Sequence, residues 1–288
     1  MATDTKEMQV RLKERELNLL KAFIRVCEQL DLRWFVVQGT LLGTIRHGGF
    51  IPWDDDIDLG MPRRDYMIFL KKAQALLPKD CFLQSFHTDP EHYHCFAKLR
   101  DEQTTFIENT VMKLKHMHQG VFIDIFPFDY YPESALSAGC FELKKFLFRY
   151  RLRSCFYIPQ DQEAGLTGLL KRGLMAAAGL LCPSERKALE ESERLYMSVP
   201  RGRLLVNNGS PWGRREVVKA SWMRRTKTMT FEGVPVRVPA GYDAYLRHVY
   251  GDYMKLPPVA ERTAHHYARV IDPDTPYPVW MERISKEG

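Results

Sequence analysis

Four aspartates stand within five consecutive positions of this 288-residue chain: Asp54, Asp55, Asp56 and Asp58. Ile57 and Leu59 alternate with Asp56 and Asp58, so on a β-strand the two carboxylates would share the face opposite the core. Neighbouring carboxylates repel each other unless a cation lies between them. The run lacks the spacing and the distant glutamate of an EF-hand calcium loop. Because carboxylate oxygens suit Mg²⁺ and Mn²⁺, the run predicts a site for such an ion rather than a solvated acidic turn.

The residues before the aspartates predict a strand, a turn and a short helix. Residues 34–37 are aromatic and β-branched, as in a buried strand. Residues 38–40 (Gln-Gly-Thr) follow as a turn whose glycine lets the backbone approach a ligand closely. Residues 41–46 have the composition of one or two helical turns, which His47 and two glycines end.

A third aspartate interrupts a later apolar strand. At Asp124, within the run Val-Phe-Ile-Asp-Ile-Phe, a lone buried charge would be costly, so it predicts either a third metal-binding carboxylate or a structural salt bridge. On a preceding β-like run, Lys98 and Arg100 share one face at a period of two. They would present two cations either to a polyphosphate or to solvent.

Composition excludes several classes of protein. With 45% apolar and 27% charged residues the chain is typical of a soluble globular protein. The formal net charge of +6 suits phosphate-bearing ligands or an anionic membrane surface and does not by itself indicate nucleic acid. There is no signal peptide, no apolar run of membrane-spanning length and no CxxC pair among six cysteines. We therefore expect a cytoplasmic protein with free thiols.

The stretch GTLLGTIRHGGFIPWDDDIDLGMPRRDY, residues 39–66, resembles the signature of LicD-type phosphotransferases. These are relatives of fukutin and fukutin-related protein within the nucleotidyltransferase-fold superfamily. The family pattern is a Gly-Ser or Gly-Thr turn, an Asp-x-Asp and a third aspartate on a later strand, matched here by Gly39 with Thr40, Asp56 with Asp58, and Asp124. GVFIDIFPFDYYP and YLRHVYGDYMKLPP resemble further family segments, so the resemblance spans about residues 30–260.

The resemblance implies an α/β (α+β) fold, with a nucleotidyltransferase-like mixed sheet flanked by helices and a helical insertion. We expect a catalytic core at 1–132, the insertion at 133–200 and a C-terminal segment at 201–288 that closes the active-site cleft. The implied activity is Mg²⁺-dependent transfer of a phospho-alcohol from a CDP-alcohol, with CDP-choline favoured. The acceptor would be a hydroxyl of a cell-surface glycan, such as teichoic acid or lipopolysaccharide, or of its lipid-linked precursor. The alternatives are NMP transfer from an NTP to a small molecule or protein, and a non-catalytic nucleotide- or glycan-binding module.

The resemblance also implies roles for individual residues. Asp56, Asp58 and Asp124 would hold one or two Mg²⁺ or Mn²⁺ ions and be catalytic, with Asp124 favoured to draw the proton from the acceptor hydroxyl. The predicted binding residues for the donor are Gln38, Gly39, Thr40, Arg46, His47, Lys98 and Arg100. The diphosphate would meet backbone N–H groups at Gly39 and Thr40, where the short helix starts. For Arg46 and His47, packing or capping of that helix is the alternative role.

Two later features of the sequence predict contacts, one with a membrane surface and one with a quaternary ammonium group. Residues 165–182 are apolar and predict either a core helix or an interfacial helix at the inner face of the membrane. The bases that would aid membrane contact are Lys144, Lys145, Arg149, Arg151 and Arg153. Five aromatic residues predict either core packing or part of a box for a quaternary ammonium: Trp212, Trp222, Tyr242, Tyr250 and Tyr253.

Overall fold

The structure is a computed structural model that describes residues 2–108, 116–156, 173, 185–262 and 268–287. Its strands are β1 (Phe35–Val36), β2 (Asp58–Pro62), β3 (Cys81–Gln84), β4 (Ala97–Asp101), β5 (Thr105–Glu108), β6 (Phe122–Tyr130), β7 (Leu204–Asn207), β8 (Val217–Lys219), β9 (Thr226–Phe231), β10 (Val234–Pro239) and β11 (Ala268–Asp272). Its α-helices are α1 (Ala2–Gln29), α2 (Gln38–Arg46), α3 (Arg63–Lys72), α4 (Ala135–Phe156), α5 (Glu185–Met197), α6 (Ala220–Met223), α7 (Tyr242–Tyr250) and α8 (Tyr277–Glu287). Short 3-10 helices occur at Ala73–Ala75, Gly213–Glu216 and Val259–Glu261. A mixed sheet with flanking helices confirms the predicted α/β class.

The main sheet has seven strands, with β2 and β6 side by side at its centre. The order β1-β2-β6-β4-β3 forms one path, and β7 and β8 extend the sheet from the end of β6. β2 and β6 are parallel and pair Asp58 with Asp124, while β4 is antiparallel to β6 and pairs Lys98 with Asp124. Because directly opposite residues point to the same face of a sheet, these three charged side chains lie together on one face.

Helix α1 covers the sheet because one of its faces is apolar. Leu19, Phe23 and Val26 are buried at helical spacing, and the Phe23 ring packs edge-on against Trp34 with centroids 5.5 Å apart. Each such buried side chain contributes roughly 1.5–3 kcal/mol of transfer free energy. Apolar residues recur at three- and four-residue steps over residues 6–30 of the sequence, which predicts a helix there, and α1 confirms it.

The C-terminal segment shares the main sheet. β7 pairs with β6 and β8 pairs with β7, and the separate strand β11 pairs with β5. The sequence TKTMTFEGVPVRVP predicts a hairpin that turns at Glu232 and Gly233, and β9 and β10 confirm it. The two turn residues have φ angles of 47° and 76°, as a tight hairpin turn requires. α7 then leads to the loop at 251–262, which reaches the cavity described below.

The structure differs from the predictions at two boundaries near the aspartates. The predicted turn at residues 38–40 is the first turn of α2, and β2 begins only at Asp58, so Asp56 precedes the strand. The cause is a pair of hydrogen bonds: the Asp58 N–H donates to Thr40 Oγ1 at 2.7 Å, and the Val37 N–H donates to the Asp58 carbonyl at 3.1 Å. Of the helix predicted at 165–182, only residue 173 belongs to the described part of the chain. In the part of the chain that is described, no helix combines the length and apolarity needed to cross a membrane.

Candidate active site

Three carboxylates meet where β2 and β6 run side by side. Asp56, Asp58 and Asp124, here called the carboxylate cluster, each offer an oxygen, and these oxygens lie within 4.8 Å of one another. Burial raises the pKa of Asp58 well above its usual value, and the charges of Asp56 and Asp124 raise it further. An all-carboxylate set of this size fits Mg²⁺ or Mn²⁺, because these ions prefer oxygen ligands.

The carboxylate cluster lines a cavity of about 960 Å³. Its wall combines the start of α2, the loop before β2, the loop at 209–212 and the segment at 250–261. The N-terminal and C-terminal parts of the chain therefore both contribute to it. Of the predicted site residues, the cavity is lined by Gln38, Gly39, Arg46, Asp56, Asp58, Lys98 and Asp124.

Lys98 neutralises part of the carboxylate cluster. Its ammonium lies 2.8 Å from Asp124 Oδ1 and 3.4 Å from the centroid of the Phe122 ring. Both members of the ion pair are buried. The sequence left a metal ligand and a salt bridge as alternatives for Asp124; the structure shows the salt bridge with Lys98, and a metal-binding role stays a prediction. Lys98, predicted as a phosphate ligand, is engaged with Asp124.

The start of α2 approaches the loop before β2 closely. A Cβ atom at Gly39 would overlap Asp54 Oδ2, so the Asp54 carboxylate would have to shift if a larger residue replaced this glycine. Thr40 does not line the cavity, because its hydroxyl oxygen accepts the hydrogen bond from the Asp58 N–H. The Thr40 carbonyl in turn accepts a hydrogen bond from the Thr44 hydroxyl at 2.7 Å. The Thr40 hydroxyl thus positions Asp58, while contact between the diphosphate and the backbone N–H groups of Gly39 and Thr40 stays a prediction.

Arg46 lines the cavity, but His47 and Arg100 do not. Arg46 Nη1 donates to the Tyr253 carbonyl at 2.8 Å, which ties α2 to the C-terminal loop. Burial lowers the pKa of Arg46, and the nearby charge of Arg262 lowers it further. Arg100 is buried and donates to Gln84 Oε1 and the Gly120 carbonyl, each at 2.6 Å. Its guanidinium therefore supports the sheet and is not presented to the cavity.

Three of the five predicted aromatic residues reach the cavity. Trp212, Tyr250 and Tyr253 line it, and the Trp212 and Tyr250 rings lie edge to face with centroids 5.9 Å apart. Trp222 and Tyr242 do not line it and pack against the core. Sequence reasoning missed other cavity residues, including Trp53, Tyr93 and Lys255, because nothing in their local pattern distinguishes them from core or surface positions.

The histidines form no metal site in the described part of the chain, where both groups of three or more potential ligands consist of aspartates. The spacing of the histidines in the sequence matches no tetrahedral zinc site and predicts ordinary surface positions, which is wrong for His92 and His118 because both are buried. His92 Nε2 lies 2.8 Å from the Phe96 carbonyl. Burial lowers the pKa of each imidazole to about 3, so both stay neutral at physiological pH.

The segment that contains α2, the carboxylate cluster and β6 has known relatives. Residues 31–159 match the family described as LicD/FKTN/FKRP, nucleotidyltransferase domain. This part of the chain is a LicD-family domain. The carboxylate cluster and the start of α2 both lie inside the matched range, whereas Trp212, Tyr250 and Tyr253 lie beyond it.

Similarity to curated proteins extends beyond the LicD-family domain. The chain is 29% identical over 260 residues to the lipopolysaccharide cholinephosphotransferase LicD of Haemophilus influenzae, covering 87% of this chain and 92% of the relative. It is 31% identical over 81 residues to an uncharacterised protein of Rickettsia typhi, covering 27% of this chain and 25% of that protein. It is 45% identical over 42 residues to the human ribitol 5-phosphate transferase FKRP, covering 15% of this chain and 8% of FKRP.

Proposed function

We propose that the protein is a Mg²⁺-dependent phosphotransferase that moves a phospho-alcohol from a CDP-alcohol to a hydroxyl of a cell-surface glycan or its lipid-linked precursor. The observation that carries the proposal is the carboxylate cluster in the wall of a cavity large enough for a nucleotide. Support also comes from the two named relatives, a cholinephosphotransferase and a ribitol 5-phosphate transferase.

For this transfer the protein has to align the donor with the acceptor and neutralise the charge of the phosphates, and it does not have to form a covalent bond to either. The acceptor oxygen forms a bond to the phosphorus next to the alcohol, the bond from that phosphorus to CMP breaks, and the acceptor proton leaves. Asp56, Asp58 and Asp124 would hold Mg²⁺, which supplies positive charge to the reacting diphosphate when it is bound. Lys98 occupies Asp124 Oδ1, which leaves Oδ2 as the oxygen of that side chain to accept the proton.

The two named relatives differ in the alcohol that they transfer: choline is a cation, and ribitol is a neutral polyol. An edge-to-face pair such as Trp212 and Tyr250 offers π faces that attract a quaternary ammonium. This pair lines the same cavity as the carboxylate cluster. We therefore favour CDP-choline over CDP-ribitol as the donor.

The test is release of CMP by the purified protein with Mg²⁺ and a lipopolysaccharide or teichoic acid fraction as acceptor. We expect CMP from CDP-choline, less from CDP-ribitol, and no pyrophosphate from CTP. Asp58→Asn should lower the rate at least about 10²-fold, because one charge that organises the reacting phosphate is lost. Asp80→Asn, at an exposed position outside the cavity lining, is the matched control and should retain the wild-type rate.

Two outcomes would contradict the proposal. Pyrophosphate release from an NTP would favour the nucleotidyltransferase alternative. Nucleotide binding that persists unchanged in Asp58→Asn, with no turnover of any donor by the wild-type protein, would favour a non-catalytic binding module.

A further inference from the structure

Exposed bases are concentrated in one stretch of the chain. Residues 201–227 carry eight bases and one acid, a net charge of +7 that exceeds the +6 of the whole chain. The acid, Glu216, is buried and accepts a hydrogen bond from the Tyr245 hydroxyl. All eight bases are exposed, and together they are called the basic strip: Arg201, Arg203, Arg214, Arg215, Lys219, Arg224, Arg225 and Lys227. The basic excess of the protein is therefore local and lies at the surface.

The fold joins the basic strip into a continuous surface. β8 pairs with β7, and the Ala220 N–H donates to the Arg203 carbonyl at 2.8 Å, so Arg203 and Lys219 lie close together. α6 follows β8 without a break, and Arg224 and Arg225 connect α6 to β9. Bases from three consecutive elements are thus neighbours at the surface.

The basic strip reaches the cavity at Trp212. This residue lines the cavity, and 39% of it is exposed. The Arg215 guanidinium lies 5.9 Å from the centroid of the Trp212 ring. Lys219 follows Arg215 by four residues, a span of at most about 14 Å. The strip therefore leads from the cavity across the outer surface of β8, α6 and β9.

Aromatic rings alternate with the bases along the strip. The distance from the cation to the ring centroid is 5.7 Å for Lys219 and Trp222, and 5.9 Å for Lys227 and Tyr242. Contact with a ring face restrains a long basic side chain without neutralising its charge. The surface therefore offers cations and flat apolar rings side by side.

The bases farthest along the strip have no carboxylate partner. Arg203 is paired with Glu133, whereas in the described part of the chain no ion pair involves Lys219, Arg224, Arg225 or Lys227. Like charges that lie close together repel each other and destabilise the folded chain. An anionic partner would remove this repulsion.

Phosphates and sugar rings match this surface better than a membrane does. Arginine pairs with phosphate oxygens through two parallel N–H bonds, and an aromatic ring offers an apolar face to a sugar. A helix or loop that enters a membrane surface also exposes several large apolar side chains. Among residues 201–237, all of which the structure describes, Trp212 is the one large hydrophobic residue that is exposed.

We propose that the basic strip binds the phosphate groups of an anionic glycan acceptor whose reacting hydroxyl enters the cavity beside Trp212. The inference rests on the proposed function, because that function requires a glycan hydroxyl at the carboxylate cluster. Two sources share this chemistry, the phosphorylated core oligosaccharide of a lipopolysaccharide and a teichoic acid built from glycerol phosphate.

The experiment measures the binding of three probes to the full-length protein by calorimetry. The probes are lipid-free core oligosaccharide, glycerol phosphate teichoic acid, and dextran as a glycan without charge. At least one of the two phosphorylated probes, the preferred probe, should bind at least about tenfold more tightly than dextran. Its affinity should fall as NaCl is raised from about 50 mM to about 300 mM, because salt screens exposed charges.

Paired charge reversals locate the contact. Arg224→Glu with Arg225→Glu should weaken binding of the preferred probe at least about tenfold, because two phosphate contacts are replaced by repulsion. Lys71→Glu with Lys72→Glu makes the same change in net charge at two adjacent exposed bases of α3, and is the matched control. Its affinity should stay within about twofold of the wild type, because exposed charges more than a Debye length apart interact weakly.

A second pair of substitutions tests the same surface on other elements. Lys219→Glu with Lys227→Glu changes β8 and β9 and should weaken binding to a similar extent. All substituted side chains are exposed, so the denaturation midpoint of each variant should match that of the wild type.

Several outcomes would overturn the inference alone. Equal losses in the Arg224/Arg225 and Lys71/Lys72 variants would show that only net charge matters, and dextran binding as tight as that of both phosphorylated probes would remove the role of phosphate. Single-stranded DNA that binds as tightly as the preferred probe at equal phosphate concentration would contradict a glycan surface. Selective loss of phosphatidylglycerol vesicle binding by the Arg224/Arg225 variant, with normal glycan binding, would assign the strip to a membrane.

Failure of the proposed function gives a different result. A wild-type protein that binds the preferred probe through the basic strip, but releases no CMP from any CDP-alcohol, would overturn the proposed activity and leave the glycan contact in place.

Discussion

At the scale of a single residue, the buried carboxyl of Glu216 makes the stability of the protein depend on pH. Burial raises its pKa from the usual 4.5 to about 7, although hydrogen bonds from Tyr245 and Ser210 oppose the shift. A carboxyl with a raised pKa in the folded state stabilises the protein fully below its unfolded pKa. That contribution is lost as the pH rises through the folded pKa, here between about 4.5 and 7.

The predicted consequence is tested with Glu216→Gln, which stays neutral throughout. Between about pH 5 and pH 8 the wild-type protein should lose up to about 3 kcal/mol of unfolding free energy relative to the variant. Denaturant unfolding of both proteins at the two pH values measures the difference. Buried acids that do not sense the Glu216 charge titrate equally in both proteins and cancel, and Asp58, whose pKa that charge raises, is the exception. A constant difference across this range would show that Glu216 keeps an ordinary pKa.

Individual site residues could be predicted where a charged side chain stands among apolar neighbours and therefore needs a partner. Asp58 and Asp124 stand out because each carboxylate interrupts an apolar strand, and the structure brings them together. The position of the Arg100 guanidinium could not be predicted from the sequence. Arg100 shares a face of the strand with Lys98 but lies roughly 7 Å further along it. That distance moves its guanidinium from the cavity to Gln84 and Gly120. Nothing in the sequence singles out Glu216, because Tyr245, which donates a hydrogen bond to it, lies 29 residues further along the chain.

At the scale of elements, the lack of a side chain at Gly39 in the first turn of α2 allows the Asp54 carboxylate to lie close to this helix. Gly39→Ala should displace the Asp54 carboxylate and lower CMP release at least about tenfold, because a small displacement of positioning groups is costly to the rate. Stability should change by no more than about 1 kcal/mol, because alanine favours a helix and the displaced atoms end a short side chain. Gly139→Ala on α4, where an added Cβ meets nothing within 4 Å, is the matched control and should retain full activity. Wild-type activity in Gly39→Ala would show that this approach is not required.

Long or strongly patterned elements were predictable, and short strands that depend on partners were not. α1, the β9–β10 hairpin and β6 follow from apolar periodicity and turn residues. β7 and β8 are four and three residues long and are stabilised by pairing with the end of β6, which no local pattern reveals. The segment at 201–288 was expected to close the cleft, and its loop at 209–212 lines the cavity.

At the scale of the whole molecule, α4 presents two different faces. Ala138, Phe141 and Lys145 lie on the buried face, which packs against α5. The opposite face exposes three leucines in helical register, with 80% of Leu136, 60% of Leu143 and 53% of Leu147 accessible. Exposed apolar side chains beside a base are typical of a surface that contacts an anionic membrane, and Lys144 is an exposed base one turn before Leu147. Arg149 lies on the other side of the helix and lines the cavity, so contact through the leucine face of α4 would place the cavity one helix diameter, roughly 10 Å, from a lipid-linked acceptor.

We therefore expect the protein to bind vesicles that contain phosphatidylglycerol and to bind pure phosphatidylcholine vesicles much more weakly. Leu143→Glu with Leu147→Glu should lower the partition coefficient at least about tenfold, because two apolar side chains are lost and two like charges are added. Leu76→Glu, at an isolated leucine that is 43% exposed after α3, is the matched control and should bind as the wild type does. Vesicle sedimentation measures each partition coefficient, and CMP release from CDP-choline with a soluble glycan acceptor reports an intact cavity. If the double variant binds vesicles normally but changes the oligomeric state in solution, the leucine face of α4 contacts a second copy of the chain and not the membrane.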